Sequence, residues 1–161
     1  MIDYPKYKKV LLCTDFSDNS YRAFEYAFGI AKRDDGVLYL LHIIPDVLDQ
    51  NYPEFISSMK RENIFQAKEA LQKSSEKQLD NLYLNKIKNK DNAKCIIKTG
   101  REDNEILKYA AEEKIDIIVI GTHGKTGLKH LLLGSVAEKI IRQSSIPVLV
   151  IPSKEKLTHT R

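Results

Sequence analysis

Two short stretches carry residue types suited to holding an anionic ligand. The first is "GTHGKTGLKHLLLGS", Gly121 to Ser135. Its Gly124-Lys125-Thr126 suggests a P-loop, but that loop needs a glycine five residues earlier, where this chain has Val119. A G-x-G-x-x-G dinucleotide fingerprint fails as well, because two residues and then nine separate Gly121, Gly124 and Gly134. What remains still suits phosphate. Gly121 closes an apolar run, Gly124 permits a positive φ or a close backbone approach, and Gly134-Ser135 opens a helical pattern. A helix N-terminus offers unpaired N–H groups and the positive end of a dipole. Ser135 either donates to a phosphate oxygen or caps its own helix, since Ser135-Val-Ala-Glu138 has capping-box spacing. The second stretch is "CTDFSDNS". Asp15 there can accept both hydroxyls of a ribose, or can cap the helix that follows.

Both stretches need a scaffold that ends strands beside helix starts. Apolar runs rich in Val, Ile and Leu predict strands at Lys8 to Thr14, Val37 to Ile44, Lys94 to Thr99, Ile115 to Gly121 and Pro147 to Ile151. Near-continuous hydrophobicity in the first, second and fourth suits burial on both faces. The alternation of strands with amphipathic stretches predicts an α/β fold, an open parallel sheet covered by helices on both faces. The first helix spans Asp18 to Arg33, with Ser17 or Asp18 as N-cap and Ala23, Tyr26, Ala27, Ile30 and Ala31 on its buried stripe. A long polar helix from Ile64 to Asn85 has sparse apolar positions (Ala67, Ala70, Leu71, Leu79, Leu82), so one face should be solvated. A third, Asp103 to Glu113, carries Ile106, Leu107, Ala110 and Ala111, and a fourth starts at Ser135. The expected core runs over residues 8–152 of one domain, with a polar frayed tail at 153–161.

Composition narrows the function classes. In 161 residues, 26 Lys and Arg against 22 Asp and Glu give a net charge of only +4, spread along the chain, which argues against nucleic-acid binding. The run Asn85 to Lys94 reads as a solvated loop. No apolar stretch approaches the roughly 20 residues that span a bilayer, nor a signal-peptide core, so the expectation is a cytoplasmic protein without membrane attachment. Cys13 and Cys95 lie in strand-like runs without metal spacing and read as reduced core thiols. His42, inside a strand, reads as a hydrogen-bonded core histidine.

"TDFS" after the first strand, "LLHII" in the second, Gly121-x-x-Gly124, nine residues, Gly134-Ser135 and then "PVLVI" together resemble the universal stress protein family, and within it the ATP-binding branch. The resemblance covers Lys8 to Pro152 and implies a Rossmann-like, adenine nucleotide alpha hydrolase-like fold of strand order 3-2-1-4-5. It further implies that Asp15 binds the ribose, the Ile43 backbone binds the adenine edge and Thr14 lies beside the nucleoside. The amides of Gly121, Gly124, Gly134, Ser135 and Val136 would hold the phosphates, with the Ser135 hydroxyl. His123 and Lys125 are further candidate phosphate contacts, or simply polar residues of an exposed loop. Mg²⁺ or Mn²⁺ would come with the triphosphate, since no carboxylate pair marks a protein-built metal site. The last strand, Val148 to Ile151, would pair with its counterpart in a homodimer. The implied function is an ATP-binding, nucleotide-dependent regulator of a stress response, acting on an unnamed protein partner. The alternatives are a dimeric scaffold binding AMP, a cyclic nucleotide or none, and a slow or partner-dependent ATPase. The Ser-Gly-Gly-x-Asp-Ser loop of ATP pyrophosphatases and the His-x-Gly-His of nucleotidylyltransferases are both absent.

Overall fold

The computed structural model describes residues 4–46, 61–122 and 133–153. In chain order the elements are β1 (Lys9–Cys13), α1 (Asp18–Arg33), β2 (Val37–Ile44), α2 (Arg61–Leu82), β3 (Ala93–Thr99), α3 (Glu102–Glu112), β4 (Ile117–Gly121), α4 (Ser135–Gln143) and β5 (Val148–Ile151). The strands form one parallel sheet of order β3-β2-β1-β4-β5. This is the sheet and strand order that the sequence and its resemblance imply.

Strand residues alternate between two cores, as a period of two requires. Val10, Leu12, Leu38, Leu40 and Val119 face Ala23, Phe24, Ala27, Leu79 and Tyr83, so α1 and α2 cover one side. Leu11, Tyr39, Leu41, Ile118 and Ile120 face Ile106, Tyr109, Ala110, Ala137 and Ile140, so α3 and α4 cover the other. β1 is central, and Val10, Leu11 and Leu12 are wholly excluded from solvent. At the turn into β2 a Cβ on Gly36 would come within 2.7 Å of the Tyr7 and Lys8 carbonyls, so only glycine fits there.

Several side chains depart from the expected stripes. Tyr26 is 46% exposed, and Phe24 takes the core position, packed on Tyr83 and Phe28. Along α2, Ala67, Ala70 and Leu71 are exposed, and burial begins only at Ser75 and Leu79. The helix also ends at Leu82, before a short 3-10 turn at Leu84–Lys86. Ala111 is exposed, with Tyr109 buried instead. Cys13 is a core thiol as expected, pushed up to about 12 by burial, whereas Cys95 is exposed on the edge strand. The polar tail expected at 153–161 falls, from residue 154 on, outside the described residues. No helix among the described residues is long and apolar enough to cross a membrane.

One buried polar cluster ties the far end of α2 to the end of β1. The Thr14 hydroxyl lies 2.6 Å from the Tyr83 hydroxyl and 3.1 Å from Ser20 Oγ, and it accepts from the Phe16 N–H at 3.0 Å. Ser20 gives its proton to the Ser17 carbonyl and Thr14 gives its own to Ser20, so Tyr83 is left as the donor to Thr14. Burial raises the Tyr83 pKa and holds the phenol protonated for that role. Tyr83→Phe should therefore destabilise the fold by about 1–2 kcal/mol, the loss of one buried hydrogen bond. Urea unfolding checks this: the midpoint should fall with an unchanged slope.

Candidate functional site

The direction of strand addition reverses between β1 and β4, and open α/β sheets place ligands outside the carboxyl ends of the strands at such a point. A cleft of about 570 Å³ lies there.

On the β1 side, the chain leaves the strand through Thr14 and Asp15. Asp15 Oδ1 accepts from the Ser17 N–H at 3.1 Å and from the Ser17 hydroxyl at 2.6 Å. Ser17 in turn caps α1, accepting from the Ser20 N–H. Asp15 thus orients the capping residue and is not itself the cap. Between them Phe16 adopts φ +65, a conformation that non-glycine residues rarely take. The turn is held by the Phe16 N–H bond to Thr14 and by ring contact with His42 at 4.2 Å. His42 Nδ1 lies 2.8 Å from the Thr14 carbonyl oxygen. A carbonyl only accepts, so Nδ1 carries the proton. The histidine is hydrogen-bonded as expected, but it is half-buried and forms part of the cleft wall.

On the β4 side, Gly121 ends the strand against α1, where a Cβ would come within 2.6 Å of the Asn19 side chain. A larger residue here would have to displace the Asn19 side chain. The Thr122 N–H donates to Ile151, and the Gly134 N–H donates to the Thr122 carbonyl at 2.6 Å. Both ends of the intervening segment are thereby fixed beside the cleft. Gly134, expected to offer its amide to phosphate, has already committed it to Thr122. The N-cap of α4 is Gly134, with no side-chain capping bond, and Ser135 is the first helical residue. The Ser135–Glu138 capping box does not form, because Ser135 enters the helix one position too late. First-turn amides have no partner four residues back, so those of Ser135, Val136 and Ala137 point out of the α4 N-terminus. All three residues line the cleft.

Charge divides the site. Glu102, half-buried at the start of α3, lines the cleft, and its carboxyl is raised by burial and by the charges of Asp15 and Asp103. Asp15 and Glu102 thus both line the cleft, and the Asp15 charge is one of those that act on Glu102. Neighbouring Asp103 is buried, yet the Arg101 guanidinium at 2.9 and 3.0 Å and Lys139 at 3.7 Å hold it below its ordinary value. Among the described residues no three His, Cys, Asp or Glu gather to hold a metal ion.

Thr14, Asp15, Ile43, Gly121, Gly134, Ser135 and Val136 line this one cleft. The Thr14 hydroxyl is occupied by its buried partners. His123, Gly124 and Lys125 lie outside the described residues. Sequence reasoning missed Glu102 and the α2 face of Leu71, Ser74, Ser75 and Gln78. The available signal was a serine, Ser75, in helical phase with Leu79 and Tyr83.

The description "Universal stress protein family" belongs to the family model that matches residues 6–152. Universal stress protein MJ0531 of Methanocaldococcus jannaschii is 34% identical, the match covering 93% of this chain and 85% of that protein. MJ0577 of the same organism is 35% identical, with 92% and 96% covered. A solved structure of MJ0577 superposes with a TM-score of 0.77 over 94% of this chain and 100% of that one. The Archaeoglobus fulgidus universal stress protein in complex with dAMP shares the fold at 21% identity and a TM-score of 0.56, with 91% and 99% covered.

A raised carboxyl pKa means the folded state holds the proton more tightly than the unfolded chain does. Glu102 therefore favours folding below its ordinary value of 4.5, and that benefit is lost as pH rises through the folded value. Glu102→Gln should raise the melting temperature at pH 7, and the difference should close toward pH 4. Calorimetric melts across that range check the sign.

Proposed function

Because the chain belongs to the universal stress protein family, we propose that it is a nucleotide-dependent regulatory protein that binds ATP between the ends of β1 and β4. The observation that carries this reading is the convergence of Asp15 and the α4 N-terminus on one cleft of about 570 Å³, within the usual range for small-ligand sites. In this reading the Asp15 carboxylate accepts the ribose hydroxyls, and Ser17 keeps it aimed. The Ile43 backbone meets the adenine edge, and the Thr14 backbone runs beside the nucleoside. Phosphates lie on the amides of Ser135, Val136 and Ala137 and on the Ser135 hydroxyl, with the Gly121 backbone close by. Gly124, His123 and Lys125 complete the cradle. Ser135 supports this role in particular, since it caps nothing and is exposed at the cleft.

Among the described residues of the cleft no activated nucleophile is evident, and in this reading hydrolysis is at most slow or partner-dependent. Mg²⁺ or Mn²⁺ enters with the triphosphate and screens its charge from Glu102. That same carboxyl, beside Asp15, favours a second reading in which AMP or a cyclic nucleotide, with less phosphate charge, is the ligand of a scaffold protein. The dAMP held by the Archaeoglobus fulgidus protein fits the adenine class common to both. The β5 edge is unpaired within the sheet and presents half-buried Val148, Leu149 and Val150, which suits self-pairing into a homodimer. The rest of the proposal is a single-domain cytoplasmic protein that meets a protein partner through its nucleotide-bound state.

Calorimetric titration with ATP, ADP, AMP and cyclic AMP, with and without Mg²⁺, tests the ligand. ATP should bind best with Mg²⁺ present, and Asp15→Ala should weaken it at least about tenfold, as expected when a charged acceptor is lost. Preference for AMP would favour the second reading, and no binding of any adenine nucleotide would defeat both. Sedimentation equilibrium should give twice the 18.5 kDa chain mass, and a monomer at micromolar concentration would refute the β5 pairing.

A further inference from the structure

α2 faces the cleft with Leu71, Ser74, Ser75 and Gln78. This is the unexpected wall of the site, and its chemistry is specific. Ser75 is 5% exposed and stands one helical turn before Leu79 and two before Tyr83, both 0% exposed. The stripe that buries an aliphatic and an aromatic residue thus begins with a hydroxyl. Ser20, the other buried serine, bonds to Ser17 and Thr14. A helical serine with no other partner ordinarily bonds back to the carbonyl four residues earlier. Ser75 makes no such bond, nor any other side-chain bond to the described residues, and its oxygen is not among the sealed polar atoms, so it opens on the cleft. Gln78, three residues on and half-buried, also lines the cleft with an amide that bonds to no described residue.

We infer that α2 supplies a base-reading edge, with the Gln78 amide and the Ser75 hydroxyl hydrogen-bonding the polar edge of a bound adenine. The inference rests on the nucleotide reading above and deepens it. Position supports it first. α2 packs on β2 and β3 and meets the cleft alongside Ile43, Ile44 and Pro45. The anion-binding amides lie on the other side, at the start of α4 on the opposite face of the sheet. Groups on α2 therefore meet the base end of the ligand. Chemistry supports it next. The α2 lining carries no cation, so it is not built for phosphate. A primary amide offers an acceptor and a donor side by side, which match the 6-amino group and a ring nitrogen of adenine. The hydroxyl adds a donor for another ring nitrogen. Rigidity supports it last. The Tyr83–Thr14 hydrogen bond and the buried Leu79 fix this part of α2 against the floor of the cleft, so the reading groups are held in place before the ligand arrives.

The test is calorimetric titration of the full chain with ATP and with purine riboside triphosphate, which lacks only the 6-amino group. The wild type should bind the analogue about tenfold more weakly, the value of one hydrogen bond. Gln78→Ala, a substitution that favours the helix, should bind ATP about tenfold more weakly and distinguish the two several-fold less than the wild type does. Ser75→Ala should weaken both nucleotides by about fivefold, because the ring nitrogens are common to them. A Gln78→Ala variant that binds ATP like the wild type, or discriminates as strongly as the wild type, overturns the inference while the nucleotide reading stands. Wild-type protein that binds neither nucleotide ends both.

Discussion

The hydrogen bonds that converge on Thr14 organise everything around the cleft. Its hydroxyl joins Tyr83, Ser20 and the Phe16 amide, and its carbonyl holds the His42 ring. The turn from β1 into α1 is registered there against two segments remote in the chain, the end of β2 and the exit from α2. Thr14, Ser20 and Tyr83 are buried where the cluster meets the cleft, so a lost partner there is costly. The positive φ at Phe16 persists because the same bonds over-determine the turn. The strained turn sets Asp15 and Ser17 side by side, so the chain leaves β1 already shaped for a ligand.

Around that floor the site is electrostatically divided. The start of α4 presents unpaired amides, the environment an anion prefers. The start of α3 presents Glu102 to the same cleft as Asp15, and burial together with the Asp15 charge raises its carboxyl, so this end resists further negative charge. Asp103, next in sequence, lives in the opposite field because Arg101 and Lys139 close on it. Two adjacent acids on one helix are thus driven in opposite directions, Glu102 chiefly by burial and Asp103 by the cations that close on it. The α4 end of the cleft thus favours negative charge and the α3 end opposes it.

Much of the scaffold was legible in the chain because the burial that makes it is periodic. Val37–Ile44 forms a strand at the bounds its apolar run indicates, and α1 spans Asp18–Arg33 as its pattern and caps imply. Errors fell where two residues of one helix compete for a single core site. Tyr26 and Phe24 are both aromatic on α1, and the neighbouring Tyr83 decides that Phe24 goes inward. α2 has the solvated face that its sparse apolar residues imply, and what they did not indicate is that Leu71, Ser74, Ser75 and Gln78 line the cleft.

The sequence by itself determined the alternation of strand and helix, the placement of Asp15 and Gly134-Ser135 at element ends, and, through its motif spacing, the family. These are local or periodic properties, encoded in consecutive residues. Only the tertiary structure decided that the Gly134 amide is committed to Thr122, that Gly121 answers to Asn19, that Glu102 shares the cleft with Asp15 and that Ser75 opens on the cleft. Each depends on the distance between groups remote in the chain, and that distance exists only once the parallel sheet has set β1 beside β4 and hung the helices on its two faces.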